Sequence, residues 1–138
     1  MPMRILVCGG RKYDRTDIVN VCLDTLKQKW GDDLVIIQGG ANGADRLAKL
    51  WAKANNVRCE EYRADWDNIS HPHARLKTRK DGSKYDANAG HRRNQQMIDE
   101  GKPDLFVAFP GGPGTADMVQ RLRKAGISGS ILKTTEEK

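Results

Sequence analysis

The stretch that decides the fold is Leu34-Val35-Ile36-Ile37-Gln38-Gly39-Gly40-Ala41-Asn42-Gly43-Ala44-Asp45-Arg46-Leu47-Ala48-Lys49-Leu50-Trp51-Ala52. It opens with four consecutive apolar residues, three of them β-branched. A run without polar alternation reads as a strand buried on both faces, as in parallel sheets. It closes with Ala44, Leu47, Ala48, Trp51 and Ala52 at helical spacing, which form one apolar stripe. Between them lies a turn with three glycines. Strand, tight glycine turn and amphipathic helix together make the repeating unit of an α/β protein.

The same unit recurs on either side. Arg4 to Cys8 is a nearly continuous apolar strand followed by Gly9-Gly10, and Leu105 to Phe109 is another, followed by Pro110-Gly111-Gly112. Ile18, Cys22, Leu26 and Trp30 mark a helix over 17–30, with Asp14 or Thr16 as its cap and Gly31 as its stop. Trp30 and Trp51 fall on apolar stripes and are expected in the core. Val57 to Tyr62 is a more polar strand, expected near a sheet edge. Ala89 to Glu100 is a helix, and Thr115 is expected to cap another that carries Met118, Val119, Leu122 and Ala125. Ser130 to Leu132 is a last short strand, and Thr134 to Lys138 a frayed tail. Residues 66–86 lack periodicity and read as a long loop. The pattern predicts one domain over residues 1–138, a doubly wound parallel sheet of about five strands in a three-layer α/β/α arrangement.

Composition narrows the function. The 138 residues are 38% hydrophobic and 30% charged, an ordinary soluble composition, and no apolar run approaches the length of a membrane span. The N-terminal residues read as a strand and not as a secretory leader. Cys8, Cys22 and Cys59 are odd in number and scattered, which suits a reducing cytoplasm. Cys8 is read as a small buried residue. His71, His73 and His91 lack acidic or cysteine partners at metal spacing, so no metal and no cofactor is expected. The net charge is +6, and residues 71–93 hold seven Lys or Arg against two Asp, which places five of those six charges there. Such a segment favours an anionic ligand, or it is a solvated loop.

In doubly wound sheets, ligands bind beyond the carboxyl ends of the strands. Three strands here end in glycine pairs. Glycine permits positive φ in tight turns and lets backbone N–H groups approach a phosphate at a helix N-terminus. The turns nominate Gly10, Gly39, Gly40, Gly43, Gly111, Gly112, Gly114 and Thr115 as ligand-binding residues. Neither the P-loop pattern nor the dinucleotide pattern Gly-x-Gly-x-x-Gly is present. Arg11 follows a glycine pair and can clamp a phosphate or lie free on the surface. Trp66 can stack on a base or pack at the sheet edge. Asp45, in the first turn of its helix, can offset the dipole, bind a ribose hydroxyl or serve as an acid/base.

Five segments carry a family resemblance across nearly the whole chain. They are Gly9-Gly10-Arg11, Gly39 to Asp45, Ala64-Asp65-Trp66, Ala89-Gly90-His91-Arg92-Arg93-Asn94-Gln95-Gln96-Met97, and Phe109 to Thr115. Together they resemble the Rossmann-like SLOG superfamily, which includes the Lonely Guy phosphoribohydrolases, the Smf/DprA single-strand DNA binders and the small YspA/YpsA-related proteins. The YspA-like branch is the most similar. The resemblance implies that Arg93 faces the ligand and that Gly111 to Thr115 hold a phosphate, while Asn94 stands where the family carries a lysine. Asn94 can hydrogen-bond a ligand or lie as an exposed helix residue, and Arg92 is taken with the ligand-binding set. The phosphoribohydrolases carry a catalytic glutamate where this chain has Met118, with Asp117 one residue earlier.

Three readings follow. The first is a sensor or sequestering module for a phosphate-bearing nucleotide or ADP-ribose-like ligand, and the missing glutamate favours it. The second is a nucleotide N-glycosidase, with Asp45 or Asp117 as acid/base and Arg93 as its companion. The third is a single-strand nucleic-acid binder using Arg75 to Arg93, against which the 6% aromatic content weighs. By resemblance, a homodimer or larger homo-oligomer is expected, and no membrane partner.

Overall fold

The computed structural model describes residues 2–133. In chain order the elements are β1 (Met3–Cys8), α1 (Thr16–Trp30), a 3-10 turn (Gly31–Asp33), β2 (Leu34–Gln38), α2 (Ala44–Ala54), β3 (Arg58–Glu61), β4 (Leu76–Thr78), β5 (Lys84–Asp86), α3 (Ala89–Asp99), β6 (Leu105–Ala108), α4 (Pro113–Lys124) and β7 (Ser128–Ile131). Five strands form one parallel sheet in the order β3-β2-β1-β6-β7. The chain therefore builds outward from β1 in one direction, then crosses back and builds in the other. The reversal lies between β1 and β6.

Alternation along the central strands makes two cores. Ile5 and Val7 of β1 face one side with Leu34 and Ile36 of β2, where α1 and α2 supply Val19, Leu23, Ala48 and Trp51. Leu6, Cys8, Ile37 and Phe106 face the other, where α3 and α4 supply Met97, Ile98, Met118 and Leu122. Ile5, Leu6, Val7, Ile36 and Ile37 have no exposed surface, and each such side chain contributes about 1.5–3 kcal/mol through burial. The three-layer, Rossmann-like α/β/α arrangement is thus as the sequence predicts, and β3 is an edge strand.

Several local expectations are corrected. The segment 66–86 is not all loop: β4 and β5 pair antiparallel as a separate two-stranded ribbon. Its turn contains Gly82 at φ 89°, and Asp81 accepts hydrogen bonds from the Ser83 N–H and hydroxyl. Neither strand has an apolar alternation, so only the Asp81-Gly82 pair signalled a hairpin. Helix α1 has no side-chain cap; Arg15 precedes its first residue, and the Thr16 N–H bonds the Asp14 carbonyl. Helix α4 begins two residues before Thr115, with Pro113 at its first position after Gly112, where a missing N–H costs nothing. Trp51 is core, whereas Trp30 is only partly buried against it. The tail Thr134 to Lys138 lies outside the described residues.

Candidate functional site

The glycine turns after β1, β2 and β6 meet at the carboxyl edge of the sheet. The Gly10 N–H donates to the Pro110 carbonyl at 2.9 Å, and the Gly10 carbonyl accepts from the Ala44 N–H at 3.2 Å. Gly43 sits at φ 79°, and a Cβ there would stand 2.1 Å from the Gly10 carbonyl oxygen. Backbone contact between turns therefore requires that glycine, independently of any ligand.

A cleft of about 230 Å³ opens beside these turns. Its floor is Gly39, Gly40, Ala41 and Asn42 after β2. Arg11 enters from the turn after β1, Arg63, Ala64 and Trp66 from the chain after β3, and Arg93 from α3. Gln38, with no exposed surface, fixes the floor: its side-chain oxygen accepts from the Gly40 N–H, and its amide donates to Glu61. Glu61 also takes Arg63 at 2.7 Å and Lys49 at 3.1 Å; these donors, Arg63 first, hold its carboxyl down at about 2.

Asp45 lies beneath the floor, 7% exposed, and one carboxylate oxygen accepts from the Gly39 N–H at 3.1 Å and the Ala41 N–H at 3.3 Å. Burial raises its pKa to about 6, against the opposing pull of those amides, Arg93 and Arg11. Arg93 donates to the Gly39 carbonyl at 2.5 Å and to Asn94 at 3.0 Å. Its charge is disfavoured by burial, supported by Asp45 and opposed by Arg11. Arg11 is exposed, with its guanidinium 5.0 Å from the centre of the half-buried Trp66 ring. Among the described residues, neither Arg11 nor Arg93 forms an ion pair. The cleft can therefore accept an anion without first breaking a salt bridge at either residue.

The structure thus brings Gly39, Gly40, Arg11, Trp66 and Arg93 together, with Gly10, Gly43 and Asp45 in direct support. It places others elsewhere. Gly111, Gly112 and Gly114 form an exposed turn that abuts Gly10, with Thr115 half-buried, outside the cleft lining. Asn94 is buried and committed, donating to Asp117 and accepting from Arg93. Asp117 stands at the junction of α3 and α4. Burial raises its pKa, but Arg121, Asn94 and His91 together hold it below the usual range. Arg92 is ion-paired with Asp86. Met118, at 1% exposure, belongs to the core. Cys8 is buried, and its thiol is pushed up to about 12, first by burial and then by Asp45. Arg63, Ala41 and Asn42 were not singled out from sequence; their places after strands β3 and β2 were the available signal. Among the described residues, no cluster of three or more His, Cys, Asp or Glu is arranged to hold a metal ion. No described helix is long and apolar enough to cross a membrane.

Fold and turns define a Rossmann-like α/β protein with its glycine turns at the sheet's carboxyl edge. The chain belongs to the YspA, cpYpsA-related SLOG family, whose pattern matches residues 3–69. It is 34% identical over 133 residues to the gene 61 protein of Mycobacterium phage D29, across 90% of this chain and 91% of that one. Two solved structures share the fold. TM1055 aligns over 94% of this chain and 72% of its own, with a TM-score of 0.62 and 17% identity. DNA processing protein A (DprA) of Streptococcus pneumoniae aligns over 99% of this chain, with a TM-score of 0.63 and 16% identity. The match spans only 52% of DprA's length.

Proposed function

We propose that the protein binds a phosphate-bearing nucleotide, or a ligand derived from one, in the cleft between Arg11, Trp66 and Arg93, and acts as a sensor or sequestering module. The carrying observation is the pair of guanidiniums without ion-pair partners above the Gly39–Asn42 turn, beside a half-exposed aromatic ring. Guanidiniums recognise phosphate oxygens through paired hydrogen bonds, and the ring offers a face for a base. Ordinary small-molecule pockets run to roughly 300–1,000 Å³. A cleft of about 230 Å³ suits a mononucleotide better than a dinucleotide. The turn Gly111, Gly112, Gly114, Thr115 flanks Gly10 and extends the site for a longer ligand. Family membership supports a nucleotide-related role.

The reading is tested by calorimetry with nucleoside 5′-monophosphates and ribose 5-phosphate, together with native mass spectrometry of protein purified from cells. At least one nucleotide is expected to bind, and Arg93→Gln is expected to weaken it about 10- to 150-fold, the worth of a charged hydrogen bond of roughly 1.5–3 kcal/mol. No binding by any of them, with nothing copurifying, would overturn the proposal. Chromatography of the same mixtures detects released base. Release would move the function to N-glycoside cleavage.

A further inference from the structure

A row of guanidiniums and aromatic rings leads out of the cleft. Arg11 covers Trp66. Trp66 meets Tyr85 edge-on, with ring centres 6.4 Å apart, and the Arg79 guanidinium lies 5.1 Å from the centre of the Tyr85 ring. Tyr85 is on β5, directly opposite Lys77 of β4, so both side chains share one face of the ribbon. The row runs from cleft to hairpin as cation, ring, ring, cation, with a lysine beside the second ring.

The hairpin holds this row in fixed relation to the cleft. The Asp86 N–H donates to the Trp66 carbonyl at 2.7 Å. The fully buried Asp86 carboxylate accepts from the Arg75 and Asn88 N–H groups and pairs with Arg92. Gly90 of α3 leaves room for the Trp66 ring, since a Cβ there would come within 2.8 Å of it. Arg79 already pairs with the exposed Asp67 at 2.8 Å, but the rest of the ribbon's charge is mostly unspent. Among the described residues, Arg75, Lys77 and Lys80 form no ion pair, and all three are exposed.

A free mononucleotide would use only the cleft end of this row. Alternating rings and cations are what an unpaired polynucleotide requires, with base faces on the rings and phosphates on the cations. A duplex keeps its bases stacked on one another, and an acidic peptide has no use for the rings. We propose that the cleft takes the terminal, phosphate-bearing nucleotide of a single-stranded nucleic acid. The next nucleotides run along the Trp66–Tyr85–Arg79 face of the hairpin. This rests on the cleft being a nucleotide site. The terminal base stacks on Trp66 where Arg11 now lies, and Arg11 turns to the phosphate. Lys77 and Lys80 meet the phosphates that follow.

Fluorescence anisotropy with 3′-labelled hexathymidylate and hexauridylate, each with and without a 5′-phosphate, tests this, with 5′-dTMP and 5′-UMP as competitors and a blunt duplex as control. The expected result is at least about tenfold tighter binding of a phosphorylated hexamer than of its mononucleotide, and weaker binding when the terminal phosphate is absent. A steep salt dependence is also expected. The double variant Lys77→Gln, Lys80→Gln lowers the slope of log affinity against log salt by about 1.4, at roughly 0.7 per phosphate contact. Hexamers that bind no tighter than mononucleotides, or a slope unchanged in the variant, overturn this inference and leave the mononucleotide reading standing. Duplex binding equal to single-strand binding, or indifference to the terminal phosphate, also overturns it. Failure of mononucleotides and hexamers alike overturns both.

Discussion

The loop after β2 and the hairpin before α3 each bury an aspartate, and the two carboxylates are driven in opposite directions. Asp86 has no exposed surface, accepts two backbone hydrogen bonds at 2.8 and 2.9 Å, and pairs with Arg92. Burial alone would raise its pKa, yet these donors hold it at about 2. Asp45 is nearly as buried, but its two backbone hydrogen bonds are longer, at 3.1 and 3.3 Å, and no cation pairs with it directly, so its pKa rises to about 6. The arginines divide accordingly. Arg92 and Arg93 are neighbours on α3, about 100° apart around the helix. One closes a fastener and the other faces a cleft. The more fully a buried charge is compensated, the more it serves the fold; the one left short serves the site.

The largest effect is expected from Asp86→Ala. It strands the Arg92 guanidinium and leaves two backbone N–H groups unpaired, so the ribbon and the Trp66 segment come loose together. Amide exchange at Arg75, Asn88 and the hairpin should accelerate by at least about tenfold, as hydrogen-exchange mass spectrometry would record. Thermal stability should fall as well. If Asp45→Ala loosens the hairpin as much as Asp86→Ala does, the division between fastener and site is wrong.

This division was the part of the molecule hardest to read from sequence. The sheet was legible because Ile5, Leu6 and Val7, and then Val35, Ile36 and Ile37, are buried on both faces, and that demands unbroken apolar runs. Helix α2 was legible because its single stripe faces a single core. Arg11, Trp66 and Arg93 were legible as candidates from their turns and from the family resemblance. The hairpin was not, because each strand has three residues and packs few apolar side chains. Nor did the sequence keep Arg92 out of the binding set that holds Arg93. Their roles depend on which of them meets a carboxylate six residues upstream, and that is set by the fold of the unrecognised hairpin. Asn94 and Asp117 looked equally available, and tertiary packing committed them to each other.

An intermediate effect is expected from Asp45→Asn, and it should depend on pH. The folded pKa of about 6 lies above the ordinary 3.8, so the unfolded chain ionises first. Stability contributed by this group is complete below about pH 4 and is lost as the pH rises through about 6, a change on the order of 3 kcal/mol at about 1.4 kcal/mol per pH unit. Glu61 and Asp86, both near 2, act the other way and lose stability only as the pH falls below the usual carboxylate range. Urea denaturation at pH 4.5 and pH 7 separates these contributions. The wild type should lose stability between those values relative to Asp45→Asn. Folding is a cleaner readout than nucleotide affinity here, because a phosphate monoester itself titrates near pH 6. Parallel pH profiles for the two proteins would show that Asp45 is as well compensated as Asp86.

The smallest effect is expected from Asp117→Asn, which tests where the site ends. Asp117 accepts from Arg121 at 2.8 Å and Asn94 at 3.0 Å and faces His91 at 3.3 Å, all at the α3–α4 junction. A partly exposed pair of this kind is worth about 1 kcal/mol or less. Asn94 keeps its contact with Arg93 through its own oxygen, so the guanidinium in the cleft should stay in place. Nucleotide affinity measured by calorimetry should change by less than about twofold, because no atom of Asp117 lines the cleft. A tenfold loss would mean that Asp117 acts on the ligand through Asn94 and Arg93. The boundary between fastening and binding residues would then run along the outer edge of α4.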